Sequence, residues 1–325
     1  MERIIECVPN FSEGRDIPKV EKIVAEIESV NGVKVLHVDT GFDANRTVIT
    51  FAGEPQAVCN AAFNAIKLAG EIIDMSKHEG KHPRIGATDV CPLVPVKGVS
   101  MEETVELARK LAEKVGAIGI PVYCYENAAF VAERKNLAYC RKGEYERLKE
   151  KLPIEKPDFG PDSFNARIAR TGLSVIGARS FLIAVNFNLN TKSVKIAAEI
   201  AQGIREKGNG AKLKGVKAIG WYIDDFGIAQ VSVNITDINA TALHTVYEEV
   251  KKRATLLDVE VTGTEIIGLI PEKVIIDAGA YFMSKSGDNK FEDNVLIAAA
   301  IQHLGLNDLS PFIPEEKILE YVINI

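Results

Sequence analysis

The feature that most constrains the fold of this 325-residue chain is an internal repeat. Residues 264–273, TEIIGLIPEK, repeat residues 88–97, TDVCPLVPVK, at an offset of 176, with the Thr, Leu, Pro and Lys positions identical. A second pair of segments, residues 216–219 and 33–36, is similar at an offset of 183. Self-similarity in the same order along both halves predicts two copies of one structural unit.

The spacing of apolar residues predicts the order strand, helix, strand, strand, helix, strand in each half. In the first half the predicted strands are 4–8, 33–38, 47–51, 89–94 and 121–125, and the predicted helices are 17–29, 54–74 and 101–115. Used twice, this βαββαβ order predicts an α+β fold with two ferredoxin-like subdomains that arose by internal duplication. We expect the first domain to span residues 1–178 and the second to span residues 179–325.

Two segments lie outside the repeated order. Residues 153–179 are rich in Pro and Gly, which predicts a long irregular connection or a binding loop. At the end of the chain, the spacing of apolar residues predicts helices at 291–304 and 314–323, packed on the second half.

Composition restricts the class of partner. The chain has 39 Lys and Arg against 45 Asp and Glu, a formal net charge of −6, which disfavours nucleic acid and anionic membranes as partners. It has neither an N-terminal signal-like run nor an apolar stretch of about 18 residues, so we expect a cytoplasmic protein. Its five cysteines are widely spaced, which predicts free or buried thiols. Because the charge disfavours nucleic acid and anionic membranes, small molecules or proteins are the expected partners.

The offset between the two halves falls from 183 to 176, so the first half carries about seven extra residues within residues 75–87. This inserted loop holds His78, His82, Lys81 and Arg84. Histidine exchanges protons near neutral pH, and an adjacent Lys or Arg can hold an anionic substrate. The loop is therefore the leading candidate for a catalytic site, and a solvated basic turn is the alternative.

One motif in the loop is formally that of a zinc hydrolase. His78, Glu79 and His82 match the His-Glu-x-x-His pattern, which requires a helix that presents both imidazoles on one face. Gly80 and Pro83 oppose that helix, and Lys81 would place a cation beside the metal. We therefore expect no metal site here.

Motifs spread over residues 2–280 carry a family resemblance. They are CVPNFSEG at 7–14, NRTV at 45–48, HPRIGA at 82–87, PDFGP at 157–161, AIGWY at 218–222 and TALHTVYEE at 241–249. In this order they resemble glutamate formimidoyltransferase (glutamate formiminotransferase), which passes a formimino group between glutamate and tetrahydrofolate in histidine breakdown. The resemblance is to a stand-alone form without the cyclodeaminase domain, which implies that another protein deaminates the formimino-folate.

The resemblance implies that His82 is the general acid/base and that a folate-binding loop begins at Gly160. The residues that fit this loop are Gly160, Pro161, Asp162, Ser163, Phe164 and Gly172, whereas residues 165–171 depart from the family sequence. Asp39, placed in the loop after a predicted strand, is the candidate partner that fixes the imidazole tautomer. The candidate ligands for substrate and folate are Asn10 and, for carboxylates, Arg46, Lys81 and Arg84.

The function expected from this resemblance is transfer of the formimino group of N-formimidoyl-L-glutamate, with tetrahydrofolate as co-substrate and no metal. The resemblance also implies a homodimer. Other readings of the same site are a formyl-group folate transferase, a 5-formyltetrahydrofolate cyclising enzyme and a folate-binding module without turnover. Sequence alone does not separate a formimino donor from a formyl donor.

Overall fold

The computed structural model describes residues 3–284 and 291–323. Met1, Glu2 and residues 324–325 lie outside the described residues, as do residues 285–290 of the second predicted domain. The chain divides into two compact units, an N-terminal unit of Met1–Ser180 and a C-terminal unit of Phe181–Ile325.

The N-terminal unit contains one mixed sheet, which has seven strands over the described residues of this unit. The strands are β1 (Ile4–Cys7), β2 (Asn10–Phe11), β3 (Val33–Gly41), β4 (Arg46–Gly53), β5 (Thr88–Lys97), β6 (Val122–Glu126) and β7 (Ser174–Ala178). The short strands β1 and β2 lie between β4 and β5 and pair antiparallel with both. The strand β3 pairs with β4 on one side, and β7 and then β6 continue the sheet beyond β5 in parallel.

Helices of the N-terminal unit cover this sheet with apolar faces. They are α1 (Ile17–Glu28), α2 (Pro55–Ile72), α3 (Met101–Ala117), α4 (Leu137–Cys140), α5 (Leu148–Lys151) and α6 (Ala166–Thr171). A reciprocal capping box begins α3, because the Ser100 hydroxyl accepts from the Glu103 amide while the Glu103 carboxylate accepts from the Ser100 amide. Residues from α1, α2 and α3 form one buried cluster with Ile5 and Phe51 of the sheet.

The C-terminal unit contains a fully antiparallel sheet, in the order β11, β8, β10, β9 over the described residues. Its strands are β8 (Ile183–Leu189), β9 (Val216–Ile223), β10 (Ile228–Ile235) and β11 (Val261–Ile267). Its helices are α7 (Val194–Ile204), α8 (Leu243–Leu256), α9 (Glu272–Ser284), α10 (Asp293–Leu304), α11 (Pro314–Lys317) and α12 (Leu319–Ile323). The core of this unit contains residues from the strands and from α7, α8, α9 and α10.

The two units together form a mixed fold with two sheets, which agrees with the predicted α+β class. All five cysteines are buried free thiols, as expected. No helix in residues 3–284 and 291–323 combines the length and the apolar character needed to cross a membrane.

The prediction that residues 153–179 are irregular was wrong, because the segment holds α6 and β7. Every residue of β7 is buried and the strand is parallel to both neighbours, so its sequence SVIGA lacks the alternation of a half-exposed strand. The predicted helix 314–323 is two short helices, α11 and α12, separated at Ile318. Ile318 forms an isolated bridge with Ile270. Strand β1 stops at Cys7, before Pro9.

Two glycines connect β7 to the inserted loop. Gly86 and Gly172 form an antiparallel bridge, flanked by hydrogen bonds from the amide of Ala87 to the carbonyl of Thr171 (2.8 Å) and from the amide of Leu173 to the carbonyl of Ile85 (3.1 Å). Gly172 has a φ of +65°, and a Cβ atom there would overlap the carbonyl oxygen of Ile85. The end of the inserted loop is therefore fixed by a backbone approach that only glycine permits.

We expect Gly172→Ala to lower the free energy of unfolding by about 3 kcal/mol or more, because backbone strain and overlap add. The matched control is Gly32→Ala, where φ is +85° but the nearest atom to the new Cβ is 3.7 Å away. That variant should lose only about 1–2 kcal/mol, from the left-handed backbone alone. Urea unfolding measures both values, and equal losses would contradict the close approach.

Candidate active site

The inserted loop begins with a single 3-10 turn at Met75–Lys77, capped by the Asp74 carboxylate, which accepts from the amide of Ser76 (3.1 Å). From His78 to His82 the chain is not helical. The two imidazoles are therefore not presented on one helical face. The helical geometry of the zinc-hydrolase motif is absent, as the sequence predicts.

Asn45, in the turn between β3 and β4, anchors the loop. Its carbonyl oxygen accepts a hydrogen bond from Nε2 of His78 (2.9 Å), and its Nδ2 donates to the carbonyl of Glu79 (2.8 Å). Its Oδ1 accepts from the amide of Gly14 (3.0 Å), and its own φ is +47°, a conformation that Asn tolerates better than most residues. Asn45 thus joins its own turn, the inserted loop and the segment at Gly14.

Arg84 is buried and uses all five of its N–H groups within the protein. Its Nε donates to Nδ1 of His78 (3.1 Å), and its Nη2 donates to the carbonyl of His78 (3.1 Å) and to Glu146 (2.6 Å). Its Nη1 donates to Glu146 (2.8 Å) and Glu144 (3.2 Å). In this conformation Arg84 has no donor left for a substrate carboxylate, so its contacts are those of a residue that fixes the loop.

Both ring nitrogens of His78 are engaged. A carbonyl only accepts, so Nε2 donates to Asn45, and Nδ1 accepts from Arg84. Burial lowers the pKa of His78, which agrees with a neutral ring. Neither nitrogen has a lone pair available for a metal ion.

His82 differs from His78 because one ring nitrogen is unoccupied. Its Nδ1 lies 2.8 Å from the carbonyl oxygen of Pro83, so Nδ1 carries the proton and Nε2 carries the lone pair. Burial lowers the pKa of His82 well below its ordinary value, and the cations Arg46 and Arg141 lower it further. His82 is therefore a neutral imidazole at pH 7 whose Nε2 can accept a proton.

Arg46 is the first residue of β4, and its side chain contacts β2. Its Nη2 donates to Oδ1 of Asn10, whose Nδ2 donates to the carbonyl of Val8 (3.0 Å). Its Nε is buried and has no hydrogen-bond partner among the described residues. Burial and the neighbouring Arg141 lower the pKa of Arg46 to about 10, so the group stays charged at neutral pH.

Asp89 and Arg141 complete the charged cluster, and sequence analysis did not find either. Asn10 pairs with Val90 and Phe11 pairs with Thr88, so Asp89 is the extra residue of a β-bulge. Asp89 is 1% exposed, and its carboxylate accepts from the amide of Ile85 (3.0 Å) and from Nε (3.3 Å) and Nη2 of Arg141. An acidic residue inside an apolar strand was the available signal for Asp89.

Comparisons with known proteins identify the family of this chain. The family described as "Formiminotransferase domain, N-terminal subdomain" matches residues 4–179, and "Formiminotransferase domain" matches residues 184–324. The chain belongs to the formiminotransferase family.

Three named relatives illustrate this similarity. The chain is 45% identical to formimidoyltransferase-cyclodeaminase of Dictyostelium discoideum, over 99% of this chain and 61% of that protein. It is 43% identical to glutamate formimidoyltransferase of Streptococcus pyogenes serotype M1, over 87% of this chain and 94% of that protein. The protein of the same name from Thermoplasma acidophilum is 44% identical, over 90% of this chain and 96% of its own length. The chain thus spans less than two thirds of the bifunctional relatives.

The structure places Asp39 within β3, not in the loop after a strand. The charge of Asp39 acts on Arg46 and raises its pKa, opposing the effect of burial. The hydrogen bond that sets the tautomer of His82 goes to Pro83. Lys81 is exposed and forms an ion pair with Asp43 at 3.5 Å.

The candidate folate loop is only partly joined to the inserted loop. Gly172 bridges to Gly86, but among the described residues no hydrogen bond or ion pair joins residues 160–164 to residues 75–87. Gly160 has a φ of +87°, and a Cβ atom there would lie 2.7 Å from the carbonyl oxygen of Ile120. In the same stretch, the Asp162 carboxylate forms an exposed ion pair with Lys156 (3.0 Å), and Phe164 packs on a buried cluster. The Ser163 hydroxyl forms no hydrogen bond with a described residue, and Pro161 has no polar side-chain atom.

The described residues contain no cluster of three or more His, Cys, Asp and Glu side chains that could hold a metal ion. We expect purified protein to contain no stoichiometric zinc, because a metal on His78 would have to replace the Asn45 or Arg84 hydrogen bond. Elemental analysis before and after dialysis against a chelator measures this. One equivalent of zinc that disappears in His78→Ala would overturn the structural role of His78.

Proposed function

We propose that this chain is a glutamate formimidoyltransferase that moves the formimino group between N-formimidoyl-L-glutamate and tetrahydrofolate in histidine degradation. The observation that carries the proposal is His82, a neutral imidazole whose Nε2 lone pair is unoccupied and whose Nδ1 is fixed by Pro83. The names of two relatives matched over nearly their whole length also support it. Tetrahydrofolate is the co-substrate and no metal takes part.

In the first step, a secondary amine nitrogen of tetrahydrofolate attacks the carbon of the protonated formimino group. The C=N π bond breaks as its electron pair moves onto the imino nitrogen, which gives a tetrahedral intermediate, and this pair re-forms the double bond when glutamate leaves. The new N–C bond makes the attacking nitrogen acidic, and Nε2 of His82 accepts its proton. The ring becomes an imidazolium whose Nδ1–H remains bonded to the Pro83 carbonyl. A base with a low pKa returns that proton readily, which the second step requires.

In the second step, the bond between the formimino carbon and the glutamate nitrogen breaks. An amide anion is a poor leaving group, so the nitrogen must take a proton as it departs, and the imidazolium of His82 supplies it. The products are formimino-tetrahydrofolate and glutamate, and His82 returns to its neutral form. One residue thus serves as base and then as acid, without net proton change.

The remaining predicted site residues have distinct proposed roles. Arg46, held by Asn10, and Lys81 are the candidate contacts for substrate carboxylates, and Asp39 balances the charge of Arg46. Arg84 positions the loop through Glu146 and His78 and has no free donor for the substrate. The folate is proposed to contact the stretch from Gly160 to Phe164 and Gly172, with Pro161, Asp162 and Ser163 between them.

The experiment that tests this function is an assay of the purified protein with tetrahydrofolate and each of two donors. We expect turnover with N-formimidoyl-L-glutamate and little with N-formyl-L-glutamate. The reverse preference would replace the function by formyl transfer, and cyclisation of 5-formyltetrahydrofolate without either donor would replace it by the cyclising reaction.

We also propose that both units are ferredoxin-like and arose by duplication. The pairs Phe11 with Thr88 and Phe187 with Thr264 occupy corresponding positions in the two sheets, which supports the proposal. In each unit the strands of the repeat lie across the sheet in the order fourth, first, third, second. The fourth strand is β5 in the N-terminal unit and β11 in the C-terminal unit. Three further predictions are a domain boundary between residues 178 and 179, a homodimer and a cytoplasmic location. Light scattering in solution tests whether the protein is a dimer.

We expect His82→Ala to lower kcat by about 10²–10⁴-fold with little change in folate affinity, because only proton transfer is lost. Steady-state kinetics and circular dichroism measure activity and folding. His78→Ala is the comparison within the same loop: it removes two structural hydrogen bonds, so it should lower the unfolding temperature and change kcat only several-fold. Near-normal kcat in His82→Ala would remove the catalytic role.

The pH dependence follows from the base form of His82. Activity is lost as pH falls through the pKa of His82, which lies well below 6.5 because of burial and the cations Arg46 and Arg141. We therefore expect the acid limb of kcat/KM below pH 6.5. Arg46→Gln removes one cation, raises the pKa of His82 and moves the limb to higher pH. A wild-type limb at or above 6.5 would contradict this arrangement.

A further inference from the structure

The arginines around the inserted loop differ in how many donors they keep free. Arg84 donates all five of its N–H groups to hydrogen bonds within the protein. Arg141 uses Nε and Nη2 on Asp89, and its Nη1 forms no hydrogen bond with a described residue. Arg46 uses Nη2 on Asn10, and neither its Nε nor its Nη1 has such a partner. Among Arg84, Arg141 and Arg46, free donors therefore remain only on the two arginines whose charges act on His82.

The same two arginines are rigidly placed. The Asp89 carboxylate lies 1% exposed in the bulge of β5 and holds Arg141 through both of its oxygens. Arg46 leaves β4 toward Asn10 in the adjacent β2. Both side chains are half-buried, so little rotational freedom is lost when a ligand binds.

The charges that act on His82 are those of Arg46 and Arg141, and both are positive. Arg141 also acts on Arg46, which places the three groups in one cluster. Two guanidinium groups with free donors beside a neutral base form a site for an anionic group of the substrate. Bidentate guanidinium geometry suits a carboxylate.

We propose that Arg141 and Arg46 together bind the α-carboxylate of N-formimidoyl-L-glutamate, and that Arg141 is a specificity-determining residue of this site. The α-carboxylate is attached to the carbon that carries the reacting nitrogen, so arginines beside His82 reach it while the nitrogen faces Nε2. The γ-carboxylate lies farther along the side chain and is left to other contacts. This inference rests on the formimino-transfer function proposed above.

The test compares two donors, N-formimidoyl-L-glutamate and N-formimidoyl-4-aminobutyrate, which lacks the α-carboxylate. In the wild type kcat/KM should strongly favour the first donor. Arg141→Gln should lower that preference by about 10- to 100-fold, the effect of losing a hydrogen bond to a charged group, and should leave the KM for tetrahydrofolate unchanged. Arg141→Lys should retain part of the preference, because the charge remains.

Two further variants serve as controls, one for the charge of Asp89 and one for a change of arginine at the surface. Arg141→Gln leaves the Asp89 carboxylate without its cation, so the double variant D89N/R141Q removes both charges and should show the same loss of preference. Arg147→Gln is the matched control, because Arg147 is exposed and pairs only with Glu150 at 3.8 Å. It should behave as the wild type does.

The outcomes separate this inference from the function on which it rests. A wild type that transfers nothing from the full donor overturns both. An active wild type whose donor preference survives in Arg141→Gln and D89N/R141Q overturns the inference alone. A raised KM for tetrahydrofolate with unchanged donor preference also overturns it, because the arginines would then serve a folate carboxylate.

Discussion

The buried carboxylate of Asp89 is the interaction on which the rest of the site depends. It accepts from the amide of Ile85, three residues after His82, and from two nitrogens of Arg141. Removing one partner of such a buried pair costs about 3–5 kcal/mol, because the other charge is left uncompensated. One side chain in a β-bulge therefore fixes the end of the inserted loop and the position of a cation beside His82.

The two histidines of the inserted loop differ in their hydrogen-bond partners. Both ring nitrogens of His78 form hydrogen bonds, with Asn45 and Arg84, so neither has a free lone pair. His82 gives one nitrogen to the Pro83 carbonyl and keeps the other free. Burial and two arginines then favour the neutral ring, so the free nitrogen is a base at physiological pH. Identical side chains four residues apart differ in the nitrogen that they leave available because their hydrogen-bond partners differ.

Local patterns in the sequence were sufficient to predict much of the fold. Helices such as α2 and α3 carry a helical period and capping residues, and β4 has a β-rich run. The strand β7 could not be recognised, because a fully buried parallel strand has no alternation and its neighbours come from distant segments. The location of the loop between α2 and β5 followed from the difference in repeat offsets.

The contacts within the site were much harder to predict. The sequence predicts Arg84 as a substrate ligand, because nothing in its own segment shows that Glu144 and Glu146, sixty or more residues later, accept its hydrogen bonds. Arg141 lies in an irregular segment with no motif, and only tertiary structure brings it to Asp89. Sequence identifies the residue types at a site, whereas their free donors depend on long-range pairing.

The central claim is that His82 is a neutral imidazole with its proton on Nδ1 and its lone pair on Nε2. ¹⁵N nuclear magnetic resonance of histidine-labelled protein, with the His82 signals assigned from a His82→Gln variant, measures both properties directly. At pH 7 we expect a protonated Nδ1 and an unprotonated Nε2, and a titration midpoint below 6.5. A proton on Nε2, or a midpoint at or above 6.5, would contradict the claim.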